Sequence, residues 1–247
     1  MTSPDRKTLI LTGASRGIGH ATVKRFMQAG WHIVTTSRES PPPECGRDPR
    51  WSLHVAADLS RPEERARFVA EVHAALGDAP IHALVNNAGV SPKSGYGERL
   101  GVLHGPLDAW RSTFETNFYA AIDLARGFAG GLAKARGSVV NITSIAGHAI
   151  HPFAGSAYAT SKAALSALTR EMAAEFAPLG IRVNAVAPGE IETEMVSAEY
   201  EPLVARIPMA RMGTASEVAG VILQLCEPDF AYVTGSEIFV TGGQHLL

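Results

Sequence analysis

Apolar residues gather along the chain into short continuous runs, separated by longer stretches in which they recur every three or four positions. The runs are "TLILT" (8–12), "WHIVTTS" (31–37), "SLHVAAD" (52–58), "IHALVNN" (81–87), "SVVNITS" (138–144), "IRVNAVAP" (181–188) and "EIFVTGG" (237–243). Their β-branched content and continuity predict strands buried on both faces. Helices are expected over Ile18–Ala29, from the acidic "SRPEER" after the third run, and from Ser156 to about Phe176. Strands alternating with helices predict an α/β fold: a Rossmann-type, doubly wound, seven-stranded parallel sheet with helices on both faces. No internal repeat and no long linker divides the chain, so one domain over 1–247 is expected. The Pro-rich "ESPPPECGRDPR" (39–50) lies between two core strands and reads as a surface loop.

Composition adds mainly exclusions. A 247-residue chain that is 46% hydrophobic can bury a sizeable core, and a net charge of −2 does not suggest nucleic acid or an acidic membrane surface as a partner. No apolar run approaches the roughly 20 residues of a membrane span. The start, "MTSPDRKTLI", lacks a secretory apolar stretch, so a cytoplasmic location is expected. Cys45 and Cys226 have no metal-ligand spacing and read as reduced thiols, and the nine histidines form no metal-ligand pattern. No metal is expected.

The chemistry begins at "LTGASRGIGH" (11–20), where Gly13, Gly17 and Gly19 follow strand one and open a helix. Glycine there permits a tight turn and lets a pyrophosphate approach the free N–H groups of the helix N-terminus. The spacing, G-x-x-x-G-x-G, differs from the common G-x-G-x-x-G fingerprint. An acid at the end of strand two would bind a ribose 2′-hydroxyl, but "TTSRES" places Ser37 and Arg38 there. Arg16 and Arg38 together suit a 2′-phosphate, which favours NADP(H). Glu39, one residue on, would restore an acid and keeps NAD(H) open. Other polar or glycine residues also fall at strand ends, where open α/β sheets bind ligands. Asp58 is placed for the adenine amino group, with Ser60 the better cap for the following helix. Asn86 and Asn87 stand at such an end, where their simplest role would be a turn, and Gly89 would let the chain pass close to a cofactor.

"TGASRGIG", "NNAG", Asn117 in "ETNFYA", Ser144 in "NITS", "YATSK" and "PGEIET" occur in that order. In this the chain resembles the short-chain dehydrogenase/reductase superfamily, single-domain type, from strand one to "YVTGSEIFVTGG" (232–243), with 3-oxoacyl-carrier-protein reductases among the members it is similar to. The resemblance implies a catalytic tetrad of Asn117, Ser144, Tyr158 and Lys162, with Asn117 binding a water that links Lys162 to solvent. It also implies cofactor contacts from Gly13, Ser15, Arg16, Gly17, Ile18, Gly19, Arg38, Asp58, Leu59, Asn86, Ala88, Gly89, Tyr158 and Lys162. Pro188, Gly189, Ile191 and Thr193 would shape the nicotinamide end. A homotetramer (or homodimer) acting on a small-molecule substrate is the family's usual assembly.

The tetrad's chemistry also stands on general grounds. A carbonyl receiving hydride needs a proton, and a free phenol, with a pKa of about 10, needs help to trade one near neutrality. Lys162 lies one helical turn from Tyr158 on the same face, so its charge is expected to favour phenolate. Ser144 can hydrogen-bond the substrate oxygen. Thirteen residues separate Ser144 from Tyr158, one more than is usual in the family, so the loop over the substrate is expected to bulge.

Three segments should enclose the substrate: 90–110, 148–153, and a lid at about 190–213. Lys93, Arg99, His104, His148 and His151 are candidate anion contacts, and Tyr96, Phe153, Met195 and Tyr200 a candidate apolar wall. The histidines read as packing or hydrogen-bonding groups, since Tyr158 already fills the acid–base role. The leading reading is an NADP(H)-preferring ketone reductase or alcohol dehydrogenase; a dinucleotide-sensing regulator without turnover and a pure interaction module are the alternatives.

Overall fold

A computed structural model describes residues 6–38, 51–95, 97–192 and 201–246, with the backbone alone at Trp51, Ser52 and Glu201. The expected loop at 39–50, with Glu39 and Cys45, and Tyr96, Thr193, Met195 and Tyr200 lie outside the described residues.

Seven parallel strands form one sheet: β1 (Thr8–Thr12), β2 (His32–Ser37), β3 (Trp51–Ala56), β4 (Ala83–Asn86), β5 (Ser138–Ile142), β6 (Arg182–Pro188) and β7 (Glu237–Val240). Their order is β3-β2-β1-β4-β5-β6-β7. Several runs stop short of the expected ends because their last polar residues leave the ladder. Asp58, for example, turns back to accept hydrogen bonds from the backbone N–H and hydroxyl of Ser60.

Successive strand side chains point to opposite faces, so each apolar run feeds two cores. Ile10, Val34, Leu84 and Val139 face α2 (Pro62–Leu76), α4 (Ala120–Ala135) and α5 (Ser156–Phe176). Leu9, Leu11, Ile33 and Val85 face α1 (Gly17–Gln28) and α7 (Ala215–Cys226). Phe68 of α2 meets Phe128 of α4 edge-to-face at 5.9 Å, both fully buried. Each such ring contributes about 1.5–3 kcal/mol of burial. This two-sided packing explains why the runs do not alternate.

Local signals set the helix ends. Pro62 starts α2 with Glu63 and Glu64 in its first turn, favourable to the dipole. Its N-cap is Arg61, so Ser60 does not cap it as expected: the Ser60 hydroxyl is spent on Asp58. Thr214 and Glu217 form a capping box on α7. Two further helices are α3 (Leu107–Phe114) and the short α6 (Glu201–Val204). Helix α3 runs into α4 through a π-helical stretch, Glu115–Tyr119, which contains Asn117. Such a stretch inserts a residue into the helical ladder and is frequent at functional sites.

The chain winds outward from β1 to β3, then returns to β4 beside β1 and winds the other way. The crevice outside the carboxyl ends of β1 and β4 is therefore the topological switch point, where such sheets bind ligands.

Candidate active site

A cleft of about 350 Å³ opens at that switch point. Its wall includes Gly13, Ser15, Arg16, Ile18 and Gly19 from the first turn. Arg38 joins from the end of β2, Asp58 and Leu59 from beyond β3, and Ala88 and Gly89 from beyond β4. The glycine turn is tightly built. Gly13 has φ +70, and a Cβ on Gly19 would fall 2.0 Å from the Gly13 carbonyl oxygen and 2.6 Å from Asn87 Nδ2. No side chain larger than hydrogen fits there. On the cleft wall the buried Thr36 hydroxyl has no hydrogen-bond partner among the described residues. An open cradle of backbone N–H groups, two guanidinium groups and a spare hydroxyl fit the phosphates and ribose of a dinucleotide.

Asp58 stays ionised. Burial raises its pKa, but the hydrogen bonds from Ser60 and the charges of Arg38 and Arg61 outweigh that and leave it lowered.

Several cofactor candidates sit elsewhere. Asn86 ends β4 buried, its Nδ2 donating to Asn141 Oδ1 at 2.9 Å, and it does not line the cleft. The neighbouring Asn87 does, donating to the carbonyls of Thr12 (2.9 Å) and Gly13 (3.0 Å). Strand alternation is the reason: of two adjacent asparagines at a strand end, only one can face the crevice. Gly17 begins α1 with φ +56 and does not line the cleft. Pro188, Gly189 and Ile191 lie beyond the cleft at the end of β6. There Gly189 packs so closely on the C-terminal segment that a Cβ would lie 2.8 Å from Gln244 Oε1. Ser112 and Thr116 line the cleft from α3 and the π-helical stretch, and nothing in the sequence pattern signalled them.

Gly89 connects this cleft to the tetrad. A Cβ there would lie 3.3 Å from Lys162 Nζ and 3.5 Å from Asn117 Oδ1. Asn117 is 2% exposed. Its Oδ1 accepts from Val90 N at 2.8 Å, and its Nδ2 donates to Val90 O and Ser161 Oγ, each at 3.0 Å. It thus pins the turn after β4 to α5. Ser144, just past β5, accepts from Ala146 N at 3.2 Å and stands near enough to the Tyr158 phenol to act against the rise of its pKa. Lys162 Nζ lies 5.8 Å from the Tyr158 ring centroid and donates to the Ile142 carbonyl at 2.6 Å. Asn117, Ser144, Tyr158 and Lys162 are therefore brought together at the inner end of the cleft.

The electrostatics differ from expectation. Burial pushes the Tyr158 phenol up and Glu190 pushes it further, against the opposing effect of Ser144. Burial lowers the Lys162 ammonium to about 8. The lysine does not make the phenol acidic, because desolvation of the phenolate and a nearby carboxylate act the other way.

The longer loop between Ser144 and Tyr158 opens with a 3₁₀ turn, Ile145–Gly147, and then supplies two histidines. His148 Nε2 lies 3.1 Å from Glu237 Oε2, and His151 hydrogen-bonds Glu190. Glu237 also accepts from Thr143 Oγ1 at 2.6 Å and from Ser166, so it ties together the neighbours of Ser144 and Lys162. Lys93 donates to the Phe153 carbonyl and bridges to Arg99, and His104 is exposed. Glu190 and Glu237 escaped the sequence reading, since only the folded chain gives them their partners. Cys226 is buried, its thiol pushed up to about 12 by that burial, and it is inert. Among the described residues no three His, Cys, Asp or Glu converge on a metal position, and no helix is long and apolar enough to cross a membrane.

The doubly wound parallel sheet and the glycine turn at its switch point define an α/β protein of the dinucleotide-binding type. Comparison with known proteins narrows the class. The family described as "Enoyl-(Acyl carrier protein) reductase" matches residues 13–245. Protein FixR of Bradyrhizobium diazoefficiens is 53% identical over 97% of this chain and 87% of its own. A 3-oxoacyl-[acyl-carrier-protein] reductase of Vibrio cholerae is 30% identical over 98% of each. Among solved structures, a short-chain oxidoreductase of Brucella ovis in complex with a partially ordered NAD is 51% identical, with a TM-score of 0.81 over 96% of this chain and 100% of that one. A 3-oxoacyl-[acyl-carrier protein] reductase of Brucella melitensis with bound NAD is 30% identical, with a TM-score of 0.87 over 100% and 97%. The chain belongs to the short-chain dehydrogenase/reductase family of oxidoreductases.

Proposed function

We propose that the chain, acting as one dinucleotide-binding and catalytic domain, interconverts a ketone and a secondary alcohol on a small molecule, with NADP(H) preferred as hydride partner. The observation that carries this reading is the meeting of Ser144, Tyr158 and Lys162 beside a dinucleotide-shaped cleft, joined to it through Gly89. The dinucleotide, when bound, supplies or accepts the hydride. Gly13, Gly19 and the start of α1 would hold its phosphates, Arg16 and Arg38 the 2′-phosphate, and Asp58 and Leu59 the adenine edge.

The substrate oxygen would sit between the Ser144 hydroxyl and the Tyr158 phenol. Ser144 donates a hydrogen bond to the developing charge, and Tyr158 gives up its proton to it. A phenol whose pKa is held up by burial is loaded with its proton at neutral pH, which suits reduction; oxidation would run better under alkaline conditions. Lys162, with a pKa of about 8, is mostly ammonium at pH 7 and repays the phenolate's charge once the proton has left. Asn117 holds the Gly89–Val90 turn and would hold a water toward Lys162. The reading carries with it a cytoplasmic homotetramer or homodimer.

Tyr158→Phe tests it. NADPH oxidation followed at 340 nm over a panel of ketones should fall by about 10³-fold or more, with NADPH affinity changing less than threefold. Unchanged turnover would refute the role. No turnover by the unaltered protein, despite tight dinucleotide binding, would favour the sensing regulator instead.

A further inference from the structure

A second polar pair stands on the substrate side of the tetrad. Glu190 follows Gly189 at the carboxyl end of β6, and His151 comes from the loop that follows Ser144. Their side chains are only 11% and 13% exposed and hydrogen-bond each other. His151 Nδ1 accepts from the backbone N–H groups of Phe153 and Ala154, both at 3.2 Å. An imidazole nitrogen that accepts two hydrogen bonds carries no proton, so the ring proton is on Nε2 and points at Glu190. The pair is therefore a neutral histidine supporting a carboxylate, and it keeps one negative charge. Among the described residues, Glu190 Oε2 has no hydrogen-bond partner, which leaves an acceptor for a ligand.

The charge reaches the reacting centre, because Glu190 helps to push the Tyr158 phenol up. His151 also lines a small pocket of about 90 Å³ with Ile145, Ile150, Leu203, Arg206 and Gln244. Ser144 and Glu190 each stand two residues beyond the carboxyl ends of the paired strands β5 and β6, and His151 and Ile145 join them on the loop that follows Ser144. Arg206 is exposed on the pocket's rim, where water and salt screen it, while Glu190 is buried and screened far less. Of the two buried charges near the phenol, the Lys162 ammonium is held against the Ile142 carbonyl, and the Glu190 carboxylate is the one with a free acceptor atom among the described residues.

We infer that the His151–Glu190 pair selects the substrate: it takes a neutral ketone or alcohol bearing a hydroxyl next to the reacting carbon, and it rejects the corresponding carboxylate. This inference rests on the proposed ketone–alcohol chemistry at Tyr158. The hydroxyl donates to Glu190, whereas a substrate carboxylate in the same place meets like charge in a poorly hydrated site and leaves Glu190 without a donor.

The test compares hydroxyacetone with pyruvate, which differ at the group beside the ketone, in the unaltered protein and in Glu190→Gln. The amide keeps the shape and an acceptor for His151 but loses the charge. The ratio of kcat/KM for hydroxyacetone to that for pyruvate should drop at least tenfold in Glu190→Gln. Calorimetry on NADP⁺-saturated protein, in which the ketone cannot be reduced, should show pyruvate binding at least tenfold tighter in that variant. Glu190→Met provides a second uncharged variant should the amide fail to fold. Unchanged pyruvate affinity in a folded, uncharged variant overturns the inference. If pyruvate binding tightens while no ketone is turned over by any form, charge selection stands and the enzymatic reading falls instead.

Discussion

Lys162 is a buried ammonium group in a fold that gains little from it until a ligand arrives, and that has a measurable consequence. It is 2% exposed, and burial lowers it from the ordinary lysine value of 10.5 to about 8. Below pH 8 both the native and the unfolded chain carry the proton, and the native state bears the full desolvation cost. Each pKa unit is worth about 1.4 kcal/mol, so this cost is about 3 kcal/mol at pH 7. Between pH 8 and 10.5 the unfolded state binds the proton and the native state does not, so stability attributable to Lys162 rises with pH. Lys162→Met removes the charge at similar length. It also removes the donor to the Ile142 carbonyl, but that loss does not depend on pH and cancels in a comparison between two pH values. Urea unfolding of the dinucleotide-free protein at pH 7 and pH 9.5 should therefore show the unaltered chain gaining about 2 kcal/mol relative to the variant. Parallel pH dependence in the two proteins would mean that the ammonium is not desolvated, and would remove the account of Lys162 given above.

Three further outcomes follow from single contacts. Arg38→Asp should weaken NADPH by about tenfold or more and leave NADH within a fewfold, since a charge-assisted contact to phosphate is worth about 1.5–3 kcal/mol; equal loss for both in fluorescence titrations would refute the 2′-phosphate assignment. Gly19→Ala places a methyl group 2.0 Å from the Gly13 carbonyl, so it should lower the unfolding free energy by about 2–3 kcal/mol or more and abolish dinucleotide binding, and normal titration of NADPH would contradict the turn geometry. Arg65 is 3% exposed and donates to the Leu59 carbonyl at 2.8 Å, Glu115 at 2.9 Å and Asp123 at 2.7 Å, so it links the cleft to the π-helical stretch. Removing one partner of a buried ion pair costs about 3–5 kcal/mol, and because Glu115 and Asp123 are partly exposed, Arg65→Met should fall at or below the lower figure in urea unfolding; no loss would mean that the strut is idle.

The glycine turn and the Tyr158–Lys162 spacing were legible because each is a local pattern laid on an element of known period, while Asn117 and Ser144 were reached only through the family resemblance. A continuous apolar run flanked by helices can only be a strand covered on both sides, and Ile10 and Leu11 duly feed opposite cores. "LTGASRGIG" follows such a strand, so its place at the crevice followed from topology. Tyr158 and Lys162, four apart on one helix, had to share a face. The lining of the cleft by Arg38, Asp58 and Gly89 followed from strand ends, and that by Arg16 from the glycine loop.

What the sequence by itself determined is therefore the kind and order of the elements and the groups that stand at their ends. What the tertiary structure decided is which way those groups face and what charges surround them. Asn87 rather than Asn86 lines the crevice, because side-chain direction depends on where the strand stops. The phenol is pushed up rather than down, because Glu190 and the burial of Tyr158 come from segments remote in the chain. Asn117 sits in a π-helical stretch that no periodicity announces, held by Arg65 through Glu115. Periodicity is a property of neighbours along the chain; desolvation and Coulomb energy depend on distance in space, and only folding sets those distances.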